Sequence, residues 1–493
     1  MTKHLLTALA AVTLVLSGCD TAGHDVDTSA ASARAKAATP AGTPANGVYV
    51  LIAKGTLPSD IDAQVAAAGG TLTRAIPEIG VAFATAEAPD FQQRAARSIA
   101  GLEAVAPDVL MEWTGPVEPR DEAANLGGPA ADEPFSAFQW PLVAINAEAA
   151  WASGVTGEGV RVAIIDGGIR SNHIDLASQL DFEASRSFVP PETTPNWDWN
   201  EENPLNTFWH GTHVAGIVGA ADNARGMIGV APGVTLIGVK ALHDFNGNSS
   251  GSGQFEWIIN AIYYAASPHG PDGAGADIIN MSLGATLDEK DRTDGNKEAV
   301  RELKKALDRA TRYAWQQGVL VVASAGNGAT NFDVARTLLK VPAQDQHVLG
   351  VSATAPTNWA AGGMDFATLA SYSDFGKSLV DVAAPGGDFD YPGNEACVVA
   401  GLVRPCWVFD GYFSTTGASA GSYSWAQGTS MASPTVAGVA ALVMERFGTG
   451  NPARIMSQIQ STATDLGKPG MDEVYGHGFV NAAAAVGATV ASN

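Results

Sequence analysis

Cysteine is almost absent: three residues in a chain of 493. A fold of this length therefore does not hang on a disulfide framework, and no Cys and His cluster has the spacing of a zinc site. Basic residues are also scarce, with 28 Lys and Arg against 51 Asp and Glu and a formal net charge of -23. A surface this acidic repels phosphate backbones, so no nucleic acid is expected as a partner. It leaves carboxylates free for a hard cation such as calcium. The apolar run at residues 5–16 is too short to span a bilayer, which takes about 20 residues as a helix. No fixed-period repeat is visible, which excludes a solenoid, and no H-E-x-x-H motif marks a zinc protease.

The remaining composition suits a core-forming protein. Apolar residues make up 46% of the chain and charged ones 16%, and 55 glycines cluster in short loops between apolar runs. The length suggests two or three units, one of them large.

The N-terminus reads as an export signal at residues 1–18. Lys3 supplies the positive charge, and the apolar run closes in Leu16-Ser17-Gly18-Cys19. That ending resembles the lipobox of bacterial lipoproteins, which implies lipidation of Cys19 and membrane attachment through that lipid. Asp20 follows it. Residues 19–47, rich in Ala, Thr, Ser and Pro, read as a flexible tether. Residues 48–113 form a small α+β unit of βαββαβ-like order. It has strands at 49–53 and 80–84, helices at 60–68 and 90–98, and a last strand starting at Val105. Residues 114–138, rich in Pro, Gly and acids, read as an exposed linker open to proteolytic cutting.

The pattern changes at residue 139 and holds to 493. Unalternating apolar runs at 160–165, 234–239, 277–282, 319–323, 347–351 and 379–382 suit strands buried on both faces of a parallel sheet. Helical stretches at 255–265 and 298–317 lie between them, so an α/β domain is expected.

In such sheets chemistry gathers past the carboxyl ends of the strands. Three segments belong there: Asp166-Gly167-Gly168 after an apolar strand, His210-Gly211-Thr212-His213 opening a helix, and Gly428-Thr429-Ser430-Met431-Ala432 opening another. A Ser hydroxyl is a poor nucleophile until a base takes its proton, and a carboxylate orients that base. A helix N-terminus favours the negative charge that develops beside Ser430. The second imidazole, His213, has no acidic partner motif and reads as structural, as do His173, His243, His269 and His347.

These segments, in this order, resemble the subtilase family of serine proteases, as do Ile228-Gly229-Val230-Ala231-Pro232, Asn280-Met281-Ser282-Leu283-Gly284, Ala325-Gly326-Asn327 and Tyr475-Gly476-His477-Gly478. The resemblance runs over about residues 139–485. It implies a three-layer α/β fold with a mainly parallel sheet and a serine endopeptidase with Asp166, His210 and Ser430 as its triad. Asn327 would be the side-chain oxyanion donor. Residues 48–113 look like the family's inhibitory propeptide, which implies self-activation by cleavage in the linker. Ser252-Gly253-Gln254 would be an edge strand that pairs with extended peptide. Ser282-Leu283-Gly284 and Ser324-Ala325-Gly326 would wall the pocket for the side chain preceding the scissile bond. Their small residues predict a roomy pocket with a loose apolar preference. The resemblance also implies a calcium site with Asp175 and Asn223 as ligands, completed by carbonyls of Ala221, Arg225 and Met227.

Export puts Cys397 and Cys406 in an oxidising compartment, close enough in sequence to form a disulfide, which is expected over a metal pair. The expected protein is thus an exported monomer, lipid-anchored at the bacterial envelope before processing. Two other readings compete. Ser430, Asp465 or Asp472, and His477 stand in the order of an α/β-hydrolase esterase, but that order leaves Asp166 and His210 idle. An inactive surface-anchored binding module would have lost a catalytic residue, and none is missing.

Overall fold

The computed structural model describes residues 43–115, 120–122, 133–190, 209–245, 250–290, 296–390, 393–448 and 450–490. The expected export signal with Cys19 lies outside them. The elements used below are β1 Thr43–Ala53, α1 Ile61–Ala67, β2 Thr71–Ile76, β3 Val81–Thr85, α2 Phe91–Ser98 and β4 Leu102–Thr114. They continue with β5 Arg161–Asp166, α3 His210–Gly219, β6 Thr235–Lys240, β7 Gly251–Gln254, α4 Phe255–Ala266, β8 Ile278–Met281 and β9 Ala285–Asp288. The last are α5 Asn296–Gln316, β10 Leu320–Ser324, β11 Leu338–Val341, β12 Val348–Ala355, β13 Val382–Pro385, β14 Tyr423–Ala426 and α6 Thr429–Phe447.

The large body is three-layered, as expected. Strands β12, β10, β8, β5 and β6 run in that order in one sheet, and β13 also pairs with β12. All these pairings are parallel. The apolar runs explain the layering, because successive side chains point to opposite faces. Val162 and Ile164 of β5 enter a core shared with α3 and α6. Ala163 and Ile165 enter the opposite core, shared with α4 and α5. The same division holds along β10, where Leu320 and Val322 face one core and Val321 and Ala323 the other. No helix of the described residues is long and apolar enough to cross a membrane.

The N-terminal unit has the βαββαβ order. Its edge strand β2 was not singled out in the sequence, because half-exposed positions blur its alternation. Its sheet runs β2-β3-β1-β4 and then continues into β7 of the large body. Leu51 and Ala82 face α1 and α2. Val50, Ile52, Val81 and Phe83 face the core that contains α4 and α5. One face of this sheet is thus filled by its own helices, the other by the large body.

Within the stretch 114–138, the described residues 120–122 and 133–138 depart from the exposed linker expected. Arg120–Glu122 pairs as a strand with β14. Phe135 and Phe138 are buried, with Phe135 4.9 Å from the Tyr423 ring and Phe138 5.4 Å from the Trp425 ring. Two aromatics spaced three apart anchor this end of a polar stretch, so the large body begins by Glu133. Cys397 and Cys406 are joined in a disulfide across a short hairpin.

Candidate active site

Asp166 is the last residue of β5 and His210 the first of α3. Gly211 permits their approach: a Cβ there would overlap the Gly168 carbonyl and lie 3.1 Å from Asp166 Cβ. The His210 Nδ1–H accordingly faces the carboxylate, at 2.8 Å from Oδ2 and 3.0 Å from Oδ1. The Gly167 N–H also donates to Asp166 Oδ1, at 2.7 Å. That pairing makes Nε2 the ring nitrogen that can accept a proton. Behind it, the ammonium of Lys240 donates to the Gly167 carbonyl at 2.8 Å, and burial pulls this lysine down to about 8.

Ser430 is the second residue of α6. The helix start is tied to β8 by a chain of polar side chains. Asn280 donates to the Ser282 hydroxyl at 2.9 Å, Ser282 donates to the Ser430 carbonyl at 2.7 Å, and Ser433 donates to Asn280 Oδ1 at 2.8 Å. The Ser430 hydroxyl itself donates to the Ser282 carbonyl at 3.0 Å. A hydroxyl has one proton, so attack on a substrate requires this bond to be exchanged for one to a base.

Asn327 follows β10. Its Oδ1 accepts the N–H and hydroxyl of Thr429, at 2.9 and 2.8 Å. That fixes the amide orientation, leaving the NH₂ as the donor end.

A cavity of about 380 Å³ opens beside Ser430 and Asn327. Of the two expected walls, Gly284, Ser324 and Gly326 line it. Leu283 and Ala325 are packed into the core instead. A third wall was missed in the sequence: Lys340, from β11, also lines the cavity. No motif surrounds it, so nothing in the chain order flags it.

β4 occupies the cleft. It pairs antiparallel with β7, Met111 opposite Gly253 and Glu112 opposite Ser252, while Leu110 stands opposite Gln254. On its other side the Gly284 N–H donates to the Trp113 carbonyl at 2.8 Å. The Trp113 indole N–H donates to the Gly253 carbonyl at 3.0 Å. Under this cover His210 is 1% and Ser430 5% exposed.

A second polar cluster gathers around Asp175 and Asn223. Asp175 Oδ2 accepts the Met227 N–H at 3.0 Å and the Tyr423 hydroxyl at 2.8 Å. Glu133, not singled out in the sequence, joins them: its Oε1 accepts the N–H groups of Asn223 and Ala224, at 2.6 and 2.7 Å. Each of the three residues keeps one buried oxygen without a protein partner: Asp175 Oδ1, Glu133 Oε2 and Asn223 Oδ1. Burial pushes Asp175 up to about 7, and the carboxylate of Glu133 adds to the rise. Burial likewise raises Glu133. Three orphaned hard oxygens on two carboxylates and an amide fit a calcium ion.

His213 and His173 are buried against backbone carbonyls. His213 Nε2 lies 3.3 Å from the Ser424 carbonyl, and burial pulls it down to about 3. His173 Nε2 lies 3.0 Å from the Ser422 carbonyl, and its Nδ1 accepts the Asp175 N–H at 3.2 Å. The esterase order finds no support. Asp472 Oδ1 is taken by the N–H groups of Val474 and Tyr475, both at 2.8 Å.

Solved structures share this architecture. The epidermin leader peptide processing serine protease of Staphylococcus aureus superposes with a TM-score of 0.67 at 23% identity, covering 90% of this chain and 99% of that one. Fervidolysin of Fervidobacterium pennivorans gives a TM-score of 0.65 at 24% identity, covering 92% and 62%. Sequence carries the likeness further. Subtilisin NAT of Bacillus subtilis subsp. natto is 33% identical over 358 residues, 72% of this chain and 73% of that protein. The subtilisin of Bacillus pumilus is 34% identical over 344 residues, 69% and 96%. These relatives define the class, a serine-type endopeptidase. The model of the subtilase family matches residues 157–478, and the chain belongs to that family.

Proposed function

We propose that the chain is made as a self-inhibited precursor, in which Asp166, His210 and Ser430 form the triad and Asn327 the oxyanion donor. The position of β4 carries this reading. It lies as an added strand between β7 and Gly284, the way an extended peptide would bind: backbone hydrogen bonds hold it and side chains enter pockets. The unit from β1 to β4 is thereby an intramolecular inhibitor, and protein or peptide substrates take its place after cleavage.

The chemistry follows from the geometry. Ser430 attacks the carbonyl carbon of the scissile bond as its proton passes to His210 Nε2. Asp166 holds the Nδ1–H and steadies the imidazolium. The carbonyl oxygen, now negative, lies at the N-terminus of α6 with the Asn327 NH₂ as a further donor. His210 then gives the proton to the leaving amine, and a water molecule hydrolyses the acyl-enzyme by the same steps reversed.

Calcium belongs to the same proposal: Asp175, Glu133 and Asn223 would hold it, with carbonyls of Ala221, Arg225 and Met227 nearby in sequence. The ion would stitch the 221–227 loop to Glu133 and take no part in the reaction. Export and lipidation at Cys19 rest on the N-terminal motif, and they place the precursor on the cell envelope.

The test is expression of wild type and Ser430→Ala in a host lacking other secreted proteases, with N-terminal sequencing and labelling by a fluorophosphonate. Wild type should lose the N-terminal unit and label. Ser430→Ala should do neither. Normal processing of Ser430→Ala would overturn self-activation and point to a separate convertase.

A further inference from the structure

The pocket beside Ser430 is not lined by small residues alone. Lys340 stands opposite Thr286 in the β9–β11 pair, and its side chain is 8% exposed. Its ammonium donates to the Thr286 hydroxyl at 3.1 Å and lies 3.3 Å from Asp374 Oδ2. Asp374 is itself buried, and its other oxygen accepts the N–H groups of Gly328 and Thr330, at 3.0 and 2.9 Å. The pair sits directly under the backbone that leads into Asn327. A Cβ on Gly326 would overlap both Lys340 Nζ and Asp374 Oδ2, and the φ of +111° at Gly326 admits glycine alone in comfort.

We infer that this pocket selects a side chain ending in a hydrogen-bond acceptor, glutamate first and glutamine next, and rejects lysine and arginine. The inference rests on reading this cleft as the substrate site, and it replaces the loose apolar preference that the small wall residues suggested. An ammonium has three protons, and Thr286 and Asp374 take two. The third is left for a ligand in the cavity that Lys340 lines. Asp374 already accepts from Lys340 and from two backbone N–H groups, and it is not among the described residues that line the cavity.

Consider what each substrate side chain meets. A carboxylate meets the third proton with a charge-assisted bond, the strong kind. A leucine shields that proton from solvent and offers nothing, which is how a polar site discriminates against an apolar analogue. A lysine brings a second ammonium against the first. Among the described residues lining the cavity, Lys340 and Glu112 are the charged ones. Glu112 belongs to β4 and hydrogen-bonds Ser250, so it leaves with the inhibitory strand. Lys340 then sets the sign of the wall. The cavity, about 380 Å³, has room for a glutamate.

The test uses five quenched peptides that differ only in the residue before the scissile bond: Glu, Gln, Leu, Phe and Lys. They are given to the full chain after its own processing, with active sites counted by fluorophosphonate. The expected kcat/KM for Glu exceeds that for Leu and for Lys by about tenfold or more. Lys340→Met alone would strand Asp374 as a buried unpaired charge, so the informative variant is Lys340→Met/Asp374→Asn. It should lower the Glu-to-Leu ratio at least tenfold. Asp374→Asn, which leaves Lys340 without its counter-charge, should raise that ratio. Melting curves show whether each variant is folded. Leu or Phe as the best wild-type substrate, with a ratio indifferent to the double variant, overturns this inference and leaves the peptidase reading intact. Cleavage of none of the five by enzyme that still takes the fluorophosphonate overturns both.

Discussion

Asp108 Oδ1 accepts the backbone N–H of Phe255 at 3.1 Å, so a carboxylate carried by the N-terminal unit caps a helix of the catalytic body. Its Oδ2 accepts the next N–H, that of Glu256, at 3.0 Å. Yet Asp108 is fully buried, and burial pushes its carboxyl up to about 7. In the free chain an aspartate titrates near ~3.9. Between those values the docked state holds more protons than the undocked one. The contribution of Asp108 to docking is therefore most favourable below about pH 4 and weakens as pH rises toward 7. In the Ser430→Ala precursor, the melting temperature of Asp108→Asn relative to wild type should rise over that window. A constant difference across it would show that Asp108 does not titrate on docking.

Calcium should be felt as stability. If the ion binds the folded state alone, calcium at a hundredfold excess over Kd adds about 2.7 kcal/mol. EDTA should lower the melting temperature of the processed enzyme, and Glu133→Gln, which removes one of two negative charges, should shrink the effect of the chelator. An unchanged melting temperature in EDTA, with no calcium by elemental analysis, removes the site.

Asn327→Ala should reduce kcat by about 10²–10³ with little change in KM, the cost of one oxyanion donor. Self-processing should slow in proportion instead of stopping. The lost bonds to Thr429 are monitored by melting temperature. A loss confined to KM would assign Asn327 to substrate binding alone.

Cys19→Ala should abolish incorporation of labelled fatty acid into the precursor. Persistence of the label would refute the lipobox reading.

The elements that carry Asp166, His210 and Ser430 were legible because their signals are local. Asp166 ends an apolar strand, His210 and Ser430 open apolar helices, and short-range pattern suffices to find such junctions. The parallel sheet was legible for a related reason: strands buried on both faces, such as β5 and β10, cannot alternate. What was missed depends on contacts distant in sequence. Glu133 reaches Asn223 and Ala224 across about ninety positions, and Lys340 gains its meaning only where β11 lies against β9. Phe135 and Phe138 sat in a stretch whose overall polarity outweighed two aromatics. β2 was hidden by its exposure at the edge of a sheet.

β7 is the strand edge onto which β4 is added. An unpaired strand edge is a template for any passing chain, so proteins usually hide or blunt theirs against aggregation. On the proposed reading this one has to stay usable, since peptide would bind there. The chain resolves the conflict in two ways. In this structure β4 covers the edge and folds with it as one sheet. If β4 left, the bare edge would be four residues long, Gly251-Ser252-Gly253-Gln254, two of them glycine. Such a segment is too short and too poor in β-forming side chains to seed a stack of copies. The shortness that would limit its grip on any one substrate is also what would let it stand open in solution.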